Sequence, residues 1–159
     1  MYDQLLTTNE PLGLLRIGCI EQLRGNNEEA LNYYSDALAI EPENAMAWSM
    51  VGNLHLASKS YRAARKSFEK ILETERHDVY ALCSVGNLCL IFARGDVPNR
   101  GLHFSRAIEF FCKSLSLQPG NLHAATGIGI AYAETGKFAE AREVFLQVRI
   151  SRRSSLITI

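Results

Sequence analysis

Three residue columns recur along this chain at one set of intervals. Gly18, Gly52 and Gly86 stand 34 residues apart, and Gly129 follows 43 later. Ala30, Ala64, Ala107 and Ala141 are separated by 34, 43 and 34 residues. Tyr34, Phe68, Phe111 and Phe145 keep the same intervals. Val85-Gly-Asn-Leu-Cys-Leu90 also nearly copies Val51-Gly-Asn-Leu-His-Leu56. Chance rarely makes independent columns agree, and a fixed period of this length marks an array of small structural units that bury their apolar faces against one another.

The unit is clearest over Asn121–Val148. It reads as two short helices joined by a tight turn at Gly136. Helices of this length are marginal alone in water, so the unit needs neighbours. Gly129 on the first helix and Ala141 on the second are expected at the helix crossing, where a side chain would hold the two apart. Tyr132 and Phe145 are expected to fill the wedge beside it. A glycine inside a helix costs about 1 kcal/mol relative to alanine, so a column of them implies a packing reason. Pro42 and Pro119 should stop the second helices, because proline cannot continue a helix. Asn44 and Asn121 then stand where they can cap the next helix.

The chain has 159 residues, which suits one domain, and its 47% hydrophobic and 21% charged residues suit a globular core. Seventeen basic residues balance seventeen acidic ones. That balance leaves no basic footprint for DNA or RNA, so direct nucleic-acid binding is not expected. Cys19, Cys83, Cys89 and Cys112 form no C-x-x-C pair and read as reduced, mostly buried thiols rather than disulfides or zinc ligands. The first ten residues lack a basic segment and an apolar run, and are not expected to be a signal peptide. No apolar stretch approaches the roughly 18 residues of a membrane span. Cytosol or nucleus is the expected compartment.

The period and the residues that carry it resemble the tetratricopeptide repeat (TPR). That pattern runs a large residue, Leu-Gly and Tyr on the first helix, then Ala, an aromatic, Ala and Pro on the second. Repeat one, 11–44, supplies Leu14, Ile17-Gly18, Ala30, Tyr34, Ala37 and Pro42, with Glu21 in place of an aromatic. Repeat two, 45–78, supplies Trp48, Val51-Gly52, Ala64 and Phe68, with Ile71 and Arg76 departing from the pattern. Repeat three, 79–121, supplies Leu82, Val85-Gly86, Ala107, Phe111 and Pro119. Repeat four, 122–151, supplies Ile128-Gly129, Tyr132, Ala141 and Phe145. The resemblance implies an all-α solenoid of about four helix-turn-helix repeats in a right-handed superhelix, between an N-terminal extension (1–10) and a C-terminal tail (152–159). Repeat three carries nine extra residues near 93–103, where Gly95, Pro98 and Gly101 read as loop punctuation. Such a loop is either functional or a tolerated surface insertion. The tail reads as a poor cap, which suits a fragment or an alternative terminus of a longer array, with apolar surface left exposed at either end.

Residues that carry chemistry are few. His55, His77, His103 and His123 lack metal-ligand spacing. Gly127-Ile-Gly129 lies in a helix pattern rather than after a strand, so helix packing is expected there instead of a phosphate loop. No G-x-S-x-G or H-E-x-x-H motif occurs, and neither an enzyme nor a cofactor site is expected. A binding surface fits better. The family's phase puts a concave face on the first helices, lined by Leu15, Cys19 and Gln22, by Ser49, Asn53 and Leu56, by Cys83, Asn87 and Leu90, and by Thr126, Ile130 and Ala133. Asn53 and Asn87 share one position, and their amides either clamp an extended partner segment or bond within the scaffold. TPR co-chaperones hold a terminal carboxylate with Lys and Arg on these helices; here Arg16 stands almost alone, so an apolar and amide-bearing protein segment is the expected ligand. Arg62, Arg65, Lys66, Glu69 and Lys70 read as a solvated convex face. Arg152-Arg-Ser-Ser155 resembles a basophilic kinase site, a pattern common by chance.

Longer stretches narrow the resemblance. Trp48–Ala57, Lys66–Leu72, Asn121–Gly129 and Ala141–Arg149, with the insertion placed in repeat three, resemble the large TPR scaffold subunits of the RNA polymerase-associated factor (PAF) complex. That resemblance spans roughly 11–149. It implies a nuclear, non-catalytic scaffold acting in RNA polymerase II elongation and in co-transcriptional histone modification, including H2B ubiquitination and H3 methylation. The implied partners are the other PAF subunits and, indirectly, the polymerase and chromatin factors. The alternatives are a cytosolic TPR adaptor or co-chaperone, and the TPR substrate-recognition arm of a glycosyltransferase with an asparagine ladder.

Overall fold

The computed structural model describes the backbone over 10–157 and side chains through residue 150. The N-terminal extension lies outside the described residues except for Glu10, as do the side chains of the tail with its Arg-Arg-Ser-Ser pattern. Eight helices and no strands occur among the described residues. The chain divides into two compact units, Met1–Arg76 and His77–Ile159.

The first unit holds α1 (Pro11–Arg24), α2 (Asn27–Ile40), α3 (Ala45–Ala57) and α4 (Tyr61–Thr74). α1 begins on Pro11, whose fixed φ suits a first helical position. It ends at Gly25, where a φ of +88° lets the backbone turn and the N–H groups of Gly25 and Asn26 reach Gln22 O and Glu21 O. α2 stops two residues before Pro42. Asn44 then caps α3, its Oδ1 accepting from Ala47 N–H at 2.9 Å. Between α3 and α4 the left-handed residue is Lys59, at φ +59°. The core of α1, α2 and α3 is one cluster that includes Leu14, Leu15, Ala30, Tyr34, Ala47 and Val51.

The second unit holds α5 (Val79–Gly95), α6 (Arg100–Leu117), α7 (Leu122–Glu134) and α8 (Phe138–Ile157). Asp78 caps α5 through Ala81 N–H at 2.6 Å, a role the sequence reading did not assign. Asn121 caps α7 through Ala124 N–H at 3.0 Å, and Gly136 makes the turn into α8 at φ +78°. α8 runs on past residue 151, where the array was expected to end.

At the expected crossing, each glycine of the column stands against the aromatic ring of its own repeat. A Cβ on Gly52, Gly86 or Gly129 would lie 2.7 Å, 2.8 Å or 2.6 Å from the ring of Phe68, Phe111 or Phe145, and Gly18 stands in the same way against Tyr34. The alanines are buried alongside, from Ala30 at 0% exposure to Ala141 at 3%. Phe111 is held twice, by Gly86 of α5 and by Gly127 of α7. Gly127 and Gly129 thus serve helix packing.

The nine extra residues of repeat three do not form a long loop. α5 has 17 residues against 13 in α3, and α6 has 18 against 14 in α4. The α5–α6 connection is only Asp96–Asn99. Each helix has lengthened by about one turn, so its apolar face keeps pointing the same way. Asp96 holds this connection. Both its oxygens accept from Asn99 Nδ2, at 3.3 Å and 3.1 Å, and Oδ2 lies 3.2 Å from His103 Nε2. All four cysteines are free thiols; Cys83 and Cys89 are buried, but Cys112 is exposed, against the expectation of a mostly buried set.

Candidate protein-binding surface

The residues expected to line a groove differ in what they offer. In the first unit Leu15 is 2% exposed and belongs to the core cluster, so it packs the scaffold and presents nothing to a partner. Cys19 and Gln22 are half-buried around Tyr34. The Tyr34 hydroxyl donates to Gln22 Oε1 at 2.9 Å and lies 3.6 Å from Cys19 Sγ, which is 3.9 Å from Met50 Sδ. Burial and the Cys19 contact push the Tyr34 hydroxyl pKa up, which keeps it a neutral donor. Ser49, Asn53 and Leu56 are half-buried on α3.

In the second unit Cys83 and Leu90 are buried, and both leave the expected surface. The family's phase marked them as groove residues, but their side chains serve the packing between helices instead. Cys83 Sγ lies 3.2 Å from Ser114 Oγ, and Asn121 Nδ2 donates to Ser114 Oγ at 3.3 Å. This polar knot fastens α5, α6 and the start of α7. Thr126 is half-buried, its hydroxyl returned to Leu122 O at 2.7 Å. Ile130 and Ala133 are half-buried on α7.

Asn87 is half-buried, and its Nδ2 lies 2.7 Å from His123 Nε2. The Asn87 amide therefore ties α5 to α7.

The charged residues of this face lie where a loop was expected. The extra turn of α5 carries Arg94 and the extra turn of α6 carries Arg100. Both reach Glu134 at the end of α7, Arg100 Nη2 to Oε2 at 2.9 Å and Arg94 Nη2 to Oε1 at 3.4 Å. The Arg100 guanidinium also stands 5.4 Å from the Phe104 ring centre. Arg94, Glu134, Ile130, Ala133 and Phe145 line one shallow pocket. The unbroken apolar run Cys89-Leu-Ile-Phe-Ala93 was the signal that α5 continues. No group of three or more His, Cys, Asp or Glu residues suited to a metal occurs among the described residues. No helix among them is long and apolar enough to cross a membrane.

Eight helices pair by a glycine against a ring, and models of the tetratricopeptide repeat match residues 23–84 and 122–156, together more than half of the chain. The chain belongs to the tetratricopeptide-repeat family. Its all-α fold is that of other TPR proteins. A crystal structure of MamA superposes with a TM-score of 0.79 at 21% identity, covering 98% of this chain and 86% of that one. The thermophilic TPR protein TTC0263 of Thermus thermophilus gives 0.71 at 16%, covering 87% and 72%. Among curated relatives, this TPR chain is 33% identical over 146 residues to RNA polymerase-associated protein CTR9 of Caenorhabditis elegans, covering 87% of this chain and 13% of that protein. It is 31% identical over 147 residues to the Protein CTR9 homolog of Arabidopsis thaliana, covering 89% of this chain and 14% of that protein. The chain therefore spans about an eighth of the length of these relatives. Anaphase-promoting complex subunit 3 of Schizosaccharomyces pombe matches at 24% over 84% of this chain and 19% of that protein.

Proposed function

We propose that this chain is a stretch of non-catalytic protein-interaction scaffold of the CTR9 kind, acting in the nucleus within a PAF-type complex on elongating RNA polymerase II. The 33% identity to the nematode CTR9 over 87% of this chain carries the reading. Its partners are other subunits of that complex, and through them the polymerase and the factors of co-transcriptional histone modification. The repeats at 11–44 and 45–78 supply one binding surface in the first unit, with Ser49, Asn53 and Leu56, and those at 79–121 and 122–151 supply another in the second, with Thr126, Ile130 and Ala133.

Affinity capture from nuclear extract with the tagged chain tests this, with bound proteins identified by mass spectrometry. Recovery of PAF subunits or polymerase is the expected result. A folded, helical chain that recovers chaperones with acidic tails, or none of these proteins, would overturn it.

A further inference from the structure

Balanced overall, the charge of this chain is uneven within its first unit. Residues 25–58 hold the carboxylates of Glu28, Glu29, Asp36, Glu41 and Glu43, and no Lys or Arg. Residues 59–70 hold Lys59, Arg62, Arg65, Lys66 and Lys70 against the single Glu69. Two of these cations are neutralised. Arg65 Nε lies 2.7 Å from Glu69 Oε1, and Lys70 Nζ lies 2.7 Å from Glu73 Oε2. Lys59, Arg62 and Lys66 are exposed and pair with no carboxylate among the described residues.

The period shows that these three charges are particular to repeat two. At the register of Arg62 the other second helices carry Glu28, Ser105 and Ala139, and at that of Lys66 they carry Asn32, Glu109 and Glu143. At the register of Lys59, repeats one and four carry Gly25 and Gly136. Arg62 and Lys66 stand one turn apart on the exposed side of α4, where like charges repel. Charge also runs against the dipole of α4. Arg62 stands in the first turn and Glu73 in the last, with no acidic residue in the first turn and no basic one in the last. Neither the packing of the repeat nor the stability of the helix accounts for the three cations. Local rules are broken in this way chiefly where a binding function requires it.

We propose that Lys59, Arg62 and Lys66 form a docking surface for a run of Asp or Glu in a partner protein. It is carried by the start of α4, whereas Ser49, Asn53 and Leu56 are carried by α3, and it does not depend on which complex the scaffold serves. Three cations with no ion partner of their own give the surface a positive field. That field speeds encounter with an acidic segment and sets its register. Nucleic-acid binders commonly neutralise several phosphates, roughly 6–10, so three cations favour a protein segment.

The test uses the full chain and two fluorescein-labelled peptides with amidated C-termini. Both alternate glycine with a polar residue, glutamate in one and glutamine in the other. At about 0.05 M salt the glutamate peptide should bind roughly tenfold tighter, the combined scale of a few exposed ion pairs. That preference should vanish at about 0.5 M salt, where screening is strong. The double change Arg62→Gln and Lys66→Gln should abolish most of it. Lys59→Gly should reduce it about threefold while raising the melting temperature, so that this loss cannot come from unfolding. Arg106→Gln removes an exposed cation from α6 and should leave the preference unchanged. Equal binding of the two peptides, a preference that survives the double change, or an equal loss in Arg106→Gln would overturn the proposal. So would a single-stranded DNA oligonucleotide that binds tighter than the glutamate peptide at the same salt, or a dimer seen by sedimentation velocity that the double change dissolves.

Discussion

Single residues in this chain are constrained by rings and by backbone angles, and the two constraints predict opposite signs of effect. Gly127 faces the buried Phe111 ring, so Gly127→Ala should cost about 1–3 kcal/mol, as overpacking of a core does. Gly101 lies in the first turn of α6 with open space where a Cβ would stand, so Gly101→Ala should raise stability slightly, by a few tenths of a kcal/mol, ~0.3. Urea denaturation of both variants checks the pair. Lys59 holds a left-handed φ of +59°, and Gly25 and Gly136 make the corresponding turns of repeats one and four. Lys59→Gly should therefore stabilise by about 1 kcal/mol, by relieving a conformation unfavourable to L residues. Asp96 titrates with a defined sign. Donors on Asn99 and then His103 hold its carboxyl below the usual carboxylate range. Its stabilising effect is complete above the unfolded carboxylate pKa of about 4 and is lost as pH falls through the lower folded value. The melting-temperature gap between parent and Asp96→Asn should thus be open at neutral pH and close on strong acidification.

Elements in this chain are delimited by caps, and the caps differ in what else they hold. Asn44 caps α3 and also donates to Glu41 on the exposed surface. Asn121 caps α7 and also donates to Ser114, a fully buried hydroxyl. Asn44→Ala should cost about 1 kcal/mol, the usual value of a cap. Asn121→Ala should cost more, because it also removes a donor from a buried polar group. Thermal denaturation of both variants decides the order. Much of this level was legible in the sequence. Asn44, Asn121, Pro42 and Pro119 mark helix ends by local chemistry, and the Gly, Ala and aromatic columns mark pairing by spacing alone. The insertion was not legible, because Gly95, Pro98 and Gly101 are loop residues by composition. Gly95 is instead the last residue of α5 and Gly101 lies in the first turn of α6, at helix ends where glycine is least costly. The binding face was legible only in part. Phase tells which way a side chain points but not how deeply a neighbouring helix covers it, and so Leu15, Cys83 and Leu90 were misplaced.

The molecule as a whole pairs a repeat that propagates with apolar side chains that its described residues leave uncovered. Leu23 is 89% exposed, Phe138 is 72% exposed and Ile150 is 56% exposed. Replacing Leu23 and Phe138 by Gln should change stability by less than about 0.5 kcal/mol each, since neither packs a core. The same change should lower concentration-dependent association, as measured by sedimentation velocity. The lengthened third repeat has a different consequence. A strictly periodic surface offers a long ligand several equivalent registers, one repeat apart, and nothing in the period chooses among them. The paired extra turns of α5 and α6 add about 6 Å to each of these helices. They do so once in the array, and they return the chain to phase afterwards. They act as an index mark, the one described unit whose length tells it apart from its neighbours.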